Sequence, residues 1–596
     1  MKKIKHLIQV ITLSVIPVAL LGVCLFKASE PMTKTIALDG EGTSENPIII
    51  STSAELEEVM SNVNSGTDYA NKYLSINSDL SVTLIATTNG KTFRGHLDGG
   101  NHTITLSTSA TGDEVAMFNC VGSVASVSNI VFTGNLSGVG AKSSTVCSWN
   151  YGTINNVINN CKLTSTNTTG YLGGIAASEI ATTANIKNCV NNAEISGATY
   201  VGGIVGNLRV GSISDSINNG EVISSSTNSG GIVGGQVAHS ANNATITNCT
   251  NNSSIEGTQY VGGIAGNLIV GSISGSTNSG EVTSTLTSCA GIVGIVGKDQ
   301  STISDVTITN CINEGNISSK GQAGGIAGGV YPQLTCTGCS NYGNITVTGN
   351  SGAGGIVGYI QSSTADAIFS ITKCYSDGII TTNNGWAGGV FGYLSSSSFG
   401  TMNLTDVLSA SKVVDTSATG RVGGFMVGQN ATKAIFNLEK CQQIASISFS
   451  GSNYFSSGYM FGEINENIDS NLALNDKDHG LELSNSTIKL IRAVRKFDCA
   501  YDAAIANDIL TGINNLTADE ISALDLIVYF GKNNSIDTYY CSALYINNYL
   551  QNYDSRTLGL NNIVHLNAKS SLTIIAIFIA VGALASFIII KKRKNI

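Results

Sequence analysis

Any chemistry in this 596-residue chain has to come from its 14 Cys, 6 His and 40 Asp and Glu, and their spacing decides which kinds are open. Cys161, Cys189, Cys249, Cys311, Cys339 and Cys374 recur in one phrase, I-x-x-C-x-N or a close variant, and Ser216 and Ser276 take the same place elsewhere. If successive phrases stack, one small side chain lies above the next at about 4.8 Å. A reactive or metal-bound thiol needs cationic, acidic or His neighbours. None recurs beside these cysteines, so the phrase reads as a turn filled with small side chains, since free Cys behaves as a small hydrophobe. Cys336-x-x-Cys339 is a lone pair, whereas zinc takes four ligands. No metal and no cofactor is expected. Cys499 and Cys541 stand apart from the phrase and are expected to pair as a disulfide; disulfides within the ladder stay open for a chain outside the cell.

The histidines His6, His96, His102, His239, His479 and His565 are scattered, and a triad needs nucleophile, base and orienting group together. Sugar-cleaving chemistry needs two carboxylates about 5 to 10 Å apart. Stacked repeats would supply them by placing Asp in one register. Asp215 is instead matched by Gly275, and Asp305, Asp377 and Asp406 fall in other contexts. No catalytic residue is assigned, and the chain is expected not to be an enzyme. The large aromatics Tyr331, Tyr359, Trp386, Tyr393 and Tyr454 lie outside the repeated phrase, where they either pack loops or stack on sugars.

The elements that must position these residues are repeats. YVGGIVGNLRVGSISDSINNGEV, from Tyr200, returns as YVGGIAGNLIVGSISGSTNSGEV, from Tyr260, with 18 of 23 positions identical. The Gly pairs Gly202-Gly203 and Gly262-Gly263, each followed by Gly206 or Gly266, mark a structural motif. Its first position recurs at Gly173, Gly230, Ala290, Gly324, Gly354, Gly388 and Gly423, 28 to 35 residues apart. Self-similarity at this period, with short β-branched runs between Gly and Asn turns, is what one coil of a parallel β-helix requires. Thr52 and Glu55 form a capping box ahead of Leu56, Val59, Met60 and Val63, one apolar face of a short helix. Residues 38–112 are expected to cap the stack, 113–475 to form it, and 480–565 to be a small helical juxtamembrane domain, with helices over 486–501, 518–530 and 539–553.

The ends and the charge address location. Lys2, Lys3 and Lys5 precede an apolar run over 7–26, which reads as a signal peptide or signal anchor within 1–29. Residues 572–590 carry no charge and are followed by Lys591, Lys592, Arg593 and Lys594, the pattern of a transmembrane helix with a cytoplasmic tail over 591–596. The expectation is Sec-dependent export and a single C-terminal pass through the cell membrane, with the ectodomain outside. Those seven terminal groups belong to the 31 basic residues, so the rest of the chain sets 24 against 40 acidic ones. That balance excludes nucleic acid as a partner.

The repeat units resemble the GLUG motif of bacterial surface and secreted proteins. The lead-in GEGTSENPIIISTSAEL followed by HLDGGNHTITL is similar to the one such arrays carry. The resemblance covers roughly 38–470 and departs in reading Gly-Gly-Ile where the family often has Gly-Gly-Leu. It implies an all-β, right-handed parallel β-helix on a cell surface. The function expected from it is that of a membrane-anchored adhesin or interaction scaffold, its glycan or protein ligand unknown. The alternatives are a surface carbohydrate-active enzyme, lyase or glycosidase, and a purely structural coat protein.

Overall fold

The computed structural model describes residues 38–108, 112–236, 244–297, 305–331, 333–362, 366–395 and 399–417, with backbone strands beyond these up to Thr538–Ser542. Residues 1–39 and 40–596 are separate units, and the solenoid belongs to the second. It is an all-β right-handed parallel β-solenoid. One coil comprises Ala244–Thr247, Thr250–Asn251, Ile255–Gly262 and Ala265–Leu268. Each of the four pairs in parallel with its counterpart one coil earlier and one coil later. The parallel ladder already runs through the segment assigned to the cap, where Ile48–Ile50 pairs with Tyr73–Ile76 and that strand with His96–Asp98.

Stacking turns the apolar positions of the repeat into continuous columns. Ile186, Ile213, Ile246, Ile273, Ile308, Cys336 and Ile371 stand in one register, all buried. Ile195, Val222, Ile255, Val282, Ile317, Ile345 and Ile380 make a second. Burying each such side chain contributes roughly 1.5 to 3 kcal/mol, but only once a neighbouring coil covers it.

Between these columns runs a ladder of amides. Asn159, Asn191, Asn218, Asn251, Asn278, Asn313 and Asn341 are buried in one register, and each Nδ2 donates to the next Oδ1 at 2.7 to 2.8 Å. Each Nδ2 also donates to the carbonyl two residues on, as Asn251 does to Ser253. A buried amide is costly unless it is bonded in this way. The residue three before each Asn turns the chain with positive φ: Asn188, Asp215, Asn248, Gly275 and Asn310 all adopt it. Asp215 and Gly275, which distinguish the two close copies, therefore hold one conformation rather than two functions.

The Gly motif marks where the coil is pinched. A Cβ on Gly202 would overlap the Val205 carbonyl, one on Gly206 the backbone of Leu172 and Tyr200, and one on Gly203 the Asn218 carboxamide. Gly262, Gly266 and Gly263 repeat the arrangement against Ala265, Tyr260 and Asn278. The motif is glycine because two strands and the amide ladder meet there without room for a side chain.

Helix α1 (Ser53–Ser65) carries the capping box, with Thr52 and Glu55 each bonding the other's backbone, and buries Leu56, Val59, Met60 and Val63. The helical domain expected over 480–565 is corrected where backbone is described. Thr487–Lys489 and Arg492–Ala493 extend the parallel ladders, and Ile527–Gly531 pairs antiparallel with Thr538–Ser542. The sequences TIK, IVYFG and TYYCS are rich in the β-branched and aromatic residues that suit a pleated sheet. Lack of Gly-Asn turns was thus a poor sign of helix. The membrane anchor is also withdrawn, and with it the membrane as partner and the single-pass location. No helix among the described residues is long and apolar enough to cross a membrane. Residues 1–37 and 572–590 lie outside the described ones.

Candidate functional site

The cysteines form the turn column that was expected, with one exception. Cys189, Ser216, Cys249, Ser276, Cys311, Cys339 and Cys374 are in register. Cys161 is not: Ile158 pairs with Val190, so Val157 underlies Cys189, and Cys161 pairs with Gly134. Ile158 imitates the leading Ile of the phrase one turn too late. Burial pushes the Cys189 and Cys249 thiols up to about 12, which leaves them protonated and unreactive. No group of three or more His, Cys, Asp or Glu among the described residues could hold a metal ion. Cys541 lies on Thr538–Ser542, whereas Cys499 lies outside the described residues.

The described histidines have local partners. His96 stacks on Tyr73 with ring centroids 4.7 Å apart and bonds Ser126 Oγ through Nδ1 at 3.0 Å. His102 meets Asp79 at 3.4 Å. His6, His239, His479 and His565 lie outside the described residues. Asp406, like Asp215, holds a turn with positive φ. Glu179 is buried, receives the Ser212 N–H at 2.9 Å on one oxygen and leaves the other unpartnered; burial raises its pKa well above the usual range.

Asp377 is different, because it sits on the outer turn beside the amide ladder. Its N–H bonds Asn341 O, as Tyr342 N–H bonds Asn313 O and Glu314 N–H bonds Asn278 O. Glu314, Tyr342 and Asp377 therefore occupy one register on three successive coils. Burial raises Asp377 to about 7, against a lowering bond from Tyr375. Tyr342 and Tyr375 rings lie 5.7 Å apart, and the Tyr342 hydroxyl is buried without a partner. Glu314 and Asp377 are two coil rises apart along the backbone, roughly 9.6 Å, and the Glu314 carboxylate turns away from Asp377 to accept from Ser279 Oγ at 2.9 Å.

A second arrangement follows the Gly motif. Lys142 pairs with both Glu114 and Tyr171, and the register runs from Tyr171 to Tyr200 and on to Tyr260; Trp386 takes the same place near the other end. Across the pinch, Trp149 stands in the facing column, and Tyr359 and Tyr393 close that column. The two columns meet in a lane. Trp149 Nε1 donates to Glu114 at 3.1 Å, Lys142 Nζ lies 4.8 Å from the Trp149 ring centre, and Tyr171 stands 6.3 Å from Trp149 and 5.4 Å from Tyr200. At the other end Tyr331, Tyr359, Tyr393 and Trp386 follow at 5.8, 5.3 and 4.5 Å. The Tyr331 ring reaches the space that a side chain on Gly329 would fill. Trp386 is 9% exposed, and the tyrosines of the lane are partly open to solvent.

Sequence reasoning singled out Tyr331, Tyr359, Trp386 and Tyr393 but missed Tyr171, Tyr200, Tyr260, Trp149 and Glu114. A signal was present: Tyr171, Tyr200, Tyr260 and Trp386 each stand two residues ahead of a Gly pair. Tyr454 lies outside the described residues.

No family model matches the chain, and no curated protein matches it. The likeness to GLUG repeats thus rests on the quoted phrases alone. Among solved structures the chain is similar to one described as a "putative immunoglobulin A1 protease" from Bacteroides ovatus, at 14% identity over 85% of this chain and 95% of that one. The TM-score is 0.20, too slight a likeness to bear on function, and the fold stands on the parallel ladders themselves.

Proposed function

We propose that this solenoid is carbohydrate-directed and holds an extended glycan along the aromatic lane. The observation that carries this reading is the run Tyr331, Tyr359, Tyr393, in which partly open rings succeed one another coil by coil, with the buried Trp386 ring packed against Tyr393 on the same coil. A coil rise of about 4.8 Å is close to the length of one sugar unit. The C–H faces of sugars stack on Tyr and Trp, whose apolar bodies and polar tips suit a half-wet surface. Gln361, which accepts from the Tyr359 hydroxyl at 2.9 Å, and the partly open Lys142 at the far end supply polar groups for sugar hydroxyls. Binding of this kind requires no catalytic residue. Kinship with GLUG-repeat proteins belongs to the same reading, supported by YVGGIVG and its copies. The test is calorimetric titration of the folded chain with a panel of oligosaccharides. At about 0.5 to 1.5 kcal/mol per ring, Tyr359→Ala or Tyr393→Ala weakens the best ligand some 2- to 10-fold, and both together some 5- to 100-fold. Unchanged affinity in the double variant, or no ligand in the panel, overturns the reading.

A second reading, a carbohydrate-active enzyme, is favoured by Asp377. An acid held near neutral pH suits a general acid, and Glu314, in the same register two coils earlier, is the candidate base. Release of reducing ends from the same panel, lost in Asp377→Asn and in Glu314→Gln, would support it. Glycan binding without such release leaves the lane as a holder only.

A further inference from the structure

Cys336 departs from its column of branched apolar residues: it stands between Ile308 and Ile371, with Leu404 and Val127 further along. Its sulfur lies 3.6 Å from that of Cys374, one coil later, and both residues are fully buried. Cys339 also neighbours both of these thiols, but its Sγ is turned to the carbonyls of Ile308 and Thr337, at 3.6 and 3.5 Å. Cys249, Cys311 and Cys339 each aim Sγ at the carbonyl two residues back, at 3.4 to 3.5 Å, and so lie parallel to one another rather than tip to tip. Cys374 keeps that bond to Thr372 at 3.4 Å, but Cys336 comes to it from a different strand. Two thiols whose sulfurs already approach this closely can close to the roughly 2.05 Å of a disulfide by side-chain rotation.

We propose that Cys336 and Cys374 form a disulfide when the chain folds in an oxidising environment, tying the strand Leu334–Thr337 to the turn after Ile368–Thr372. The oxidant is a small disulfide such as oxidised glutathione. The thiolate of one cysteine attacks it, forming a mixed disulfide and releasing one glutathione thiol. The second cysteine, after losing its proton, attacks the protein sulfur and releases the other. Two electrons and two protons leave the protein and reappear in two glutathione thiols. Because both sulfurs are buried in the finished coil, the reaction belongs to coil assembly. The bond joins residues 38 apart in sequence, a closed loop that restricts the unfolded chain.

The test refolds the full chain from denaturant with a mixture of reduced and oxidised glutathione, or with dithiothreitol alone. Free thiols are then alkylated under denaturing conditions and peptides mapped by mass spectrometry. The expected result is a linked peptide joining Cys336 to Cys374 in the glutathione sample, absent after dithiothreitol, with a higher melting temperature for the oxidised chain. Cys336→Ile, which restores the residue type of its column, folds, lacks the link and melts at the same temperature under both conditions. Full alkylation of both cysteines in chain whose β circular dichroism is native overturns the proposal. So does a link from Cys374 to Cys339 in place of Cys336.

Discussion

Replacing Asn251 with Ala tests whether the buried amides hold the coils together. Asn251 gives Nδ2 to Ser253 O at 2.8 Å and to Asn278 Oδ1 at 2.7 Å, and takes Nδ2 of Asn218 at 2.8 Å. Removing it leaves the Asn278 oxygen without that donor and the Asn218 Nδ2 with only its bond to Gly220, both closed to water, and the half-buried Ser253 carbonyl without its side-chain donor. At about 1 to 3 kcal/mol for each buried group left unmet, the loss is roughly 3 to 6 kcal/mol. Asn252 is the control. It bonds Asn219 at 2.8 Å in the outer, exposed ladder, so Asn252→Ala changes stability by less than about 1 kcal/mol. Solenoids open locally, so a global unfolding midpoint would blur the effect. Native-state hydrogen exchange resolves it. Amides of Ala244–Thr247 and Ile255–Gly262 should exchange some 10²- to 10⁴-fold faster in Asn251→Ala, at 1.4 kcal/mol per tenfold, and less than about tenfold faster in Asn252→Ala. Equal effects of the two substitutions would refute the assignment of stability to the inner ladder.

Gly263→Ala places a Cβ against the Asn278 carboxamide and the Gly291 carbonyl, and should destabilise the local coils by about 1 to 3 kcal/mol or more, read by the same exchange experiment. A neutral outcome would mean that the pinch is looser than the close approach implies. The pH dependence has a defined sign. Burial raises Asp377 from an unfolded value near 3.8 to about 7, so between these values the folded chain holds a proton that the unfolded chain has lost. Stability therefore falls as pH rises from 5 to 7, by up to about 1.4 kcal/mol per unit, and Asp377→Asn flattens that part of the slope. Glu179, raised by burial, acts in the same direction. Glu55, lowered by the Ser51 N–H, acts in the opposite sense only below the ordinary carboxylate range, outside this window. Native-state exchange of the Tyr375–Ser376 and Ile380–Thr382 amides at pH 5 and 7, each divided by its intrinsic rate, measures the slope, and a gain in stability over that interval contradicts it.

What could be read from the residues was whatever repeats along the chain. The period of Gly202 and Gly262, the Thr52 and Glu55 box, and the turn column from Cys189 to Cys374 are local patterns, and stacking preserves them. Cys161 went astray because Ile158 offers a false start to the phrase, and only strand pairing exposes the slip. Residues 527–531 and 538–542 went astray because a missing turn signal was taken as helix, although β-branched and aromatic side chains there favour strand. The lane and the pair Glu314 and Asp377 were harder. Each joins residues from different coils or different strands, and Asp377 appears unremarkable until Glu314 and Tyr342 are brought into its register. The Tyr171, Tyr200, Tyr260 and Trp386 column was legible in principle but looked like part of the scaffold phrase.

That column is the reverse of scaffold. The Gly pair, the third Gly and the Asn ladder are constrained by one another, because each fills space that the others leave. Two residues ahead of the pair the register runs through Glu114, Lys142, Tyr171, Tyr200, Asn228, Tyr260, Ser288, Gln322, Gly352 and Trp386. One position thus carries acid, base, amide and aromatic side chains while its neighbours stay glycine and small apolar residues. Such variety, partly open at Lys142, Tyr171, Tyr200 and Tyr260 and buried at Glu114, Asn228 and Trp386, is more than uniform packing requires. Packing alone would favour uniform apolar side chains, as in the columns of Ile195 and Ile186. If the rings only packed, Tyr393→Ala would lower coil stability and leave glycan affinity untouched. If they bind, affinity falls while exchange in Ala265–Leu268, four coils away, stays as it was.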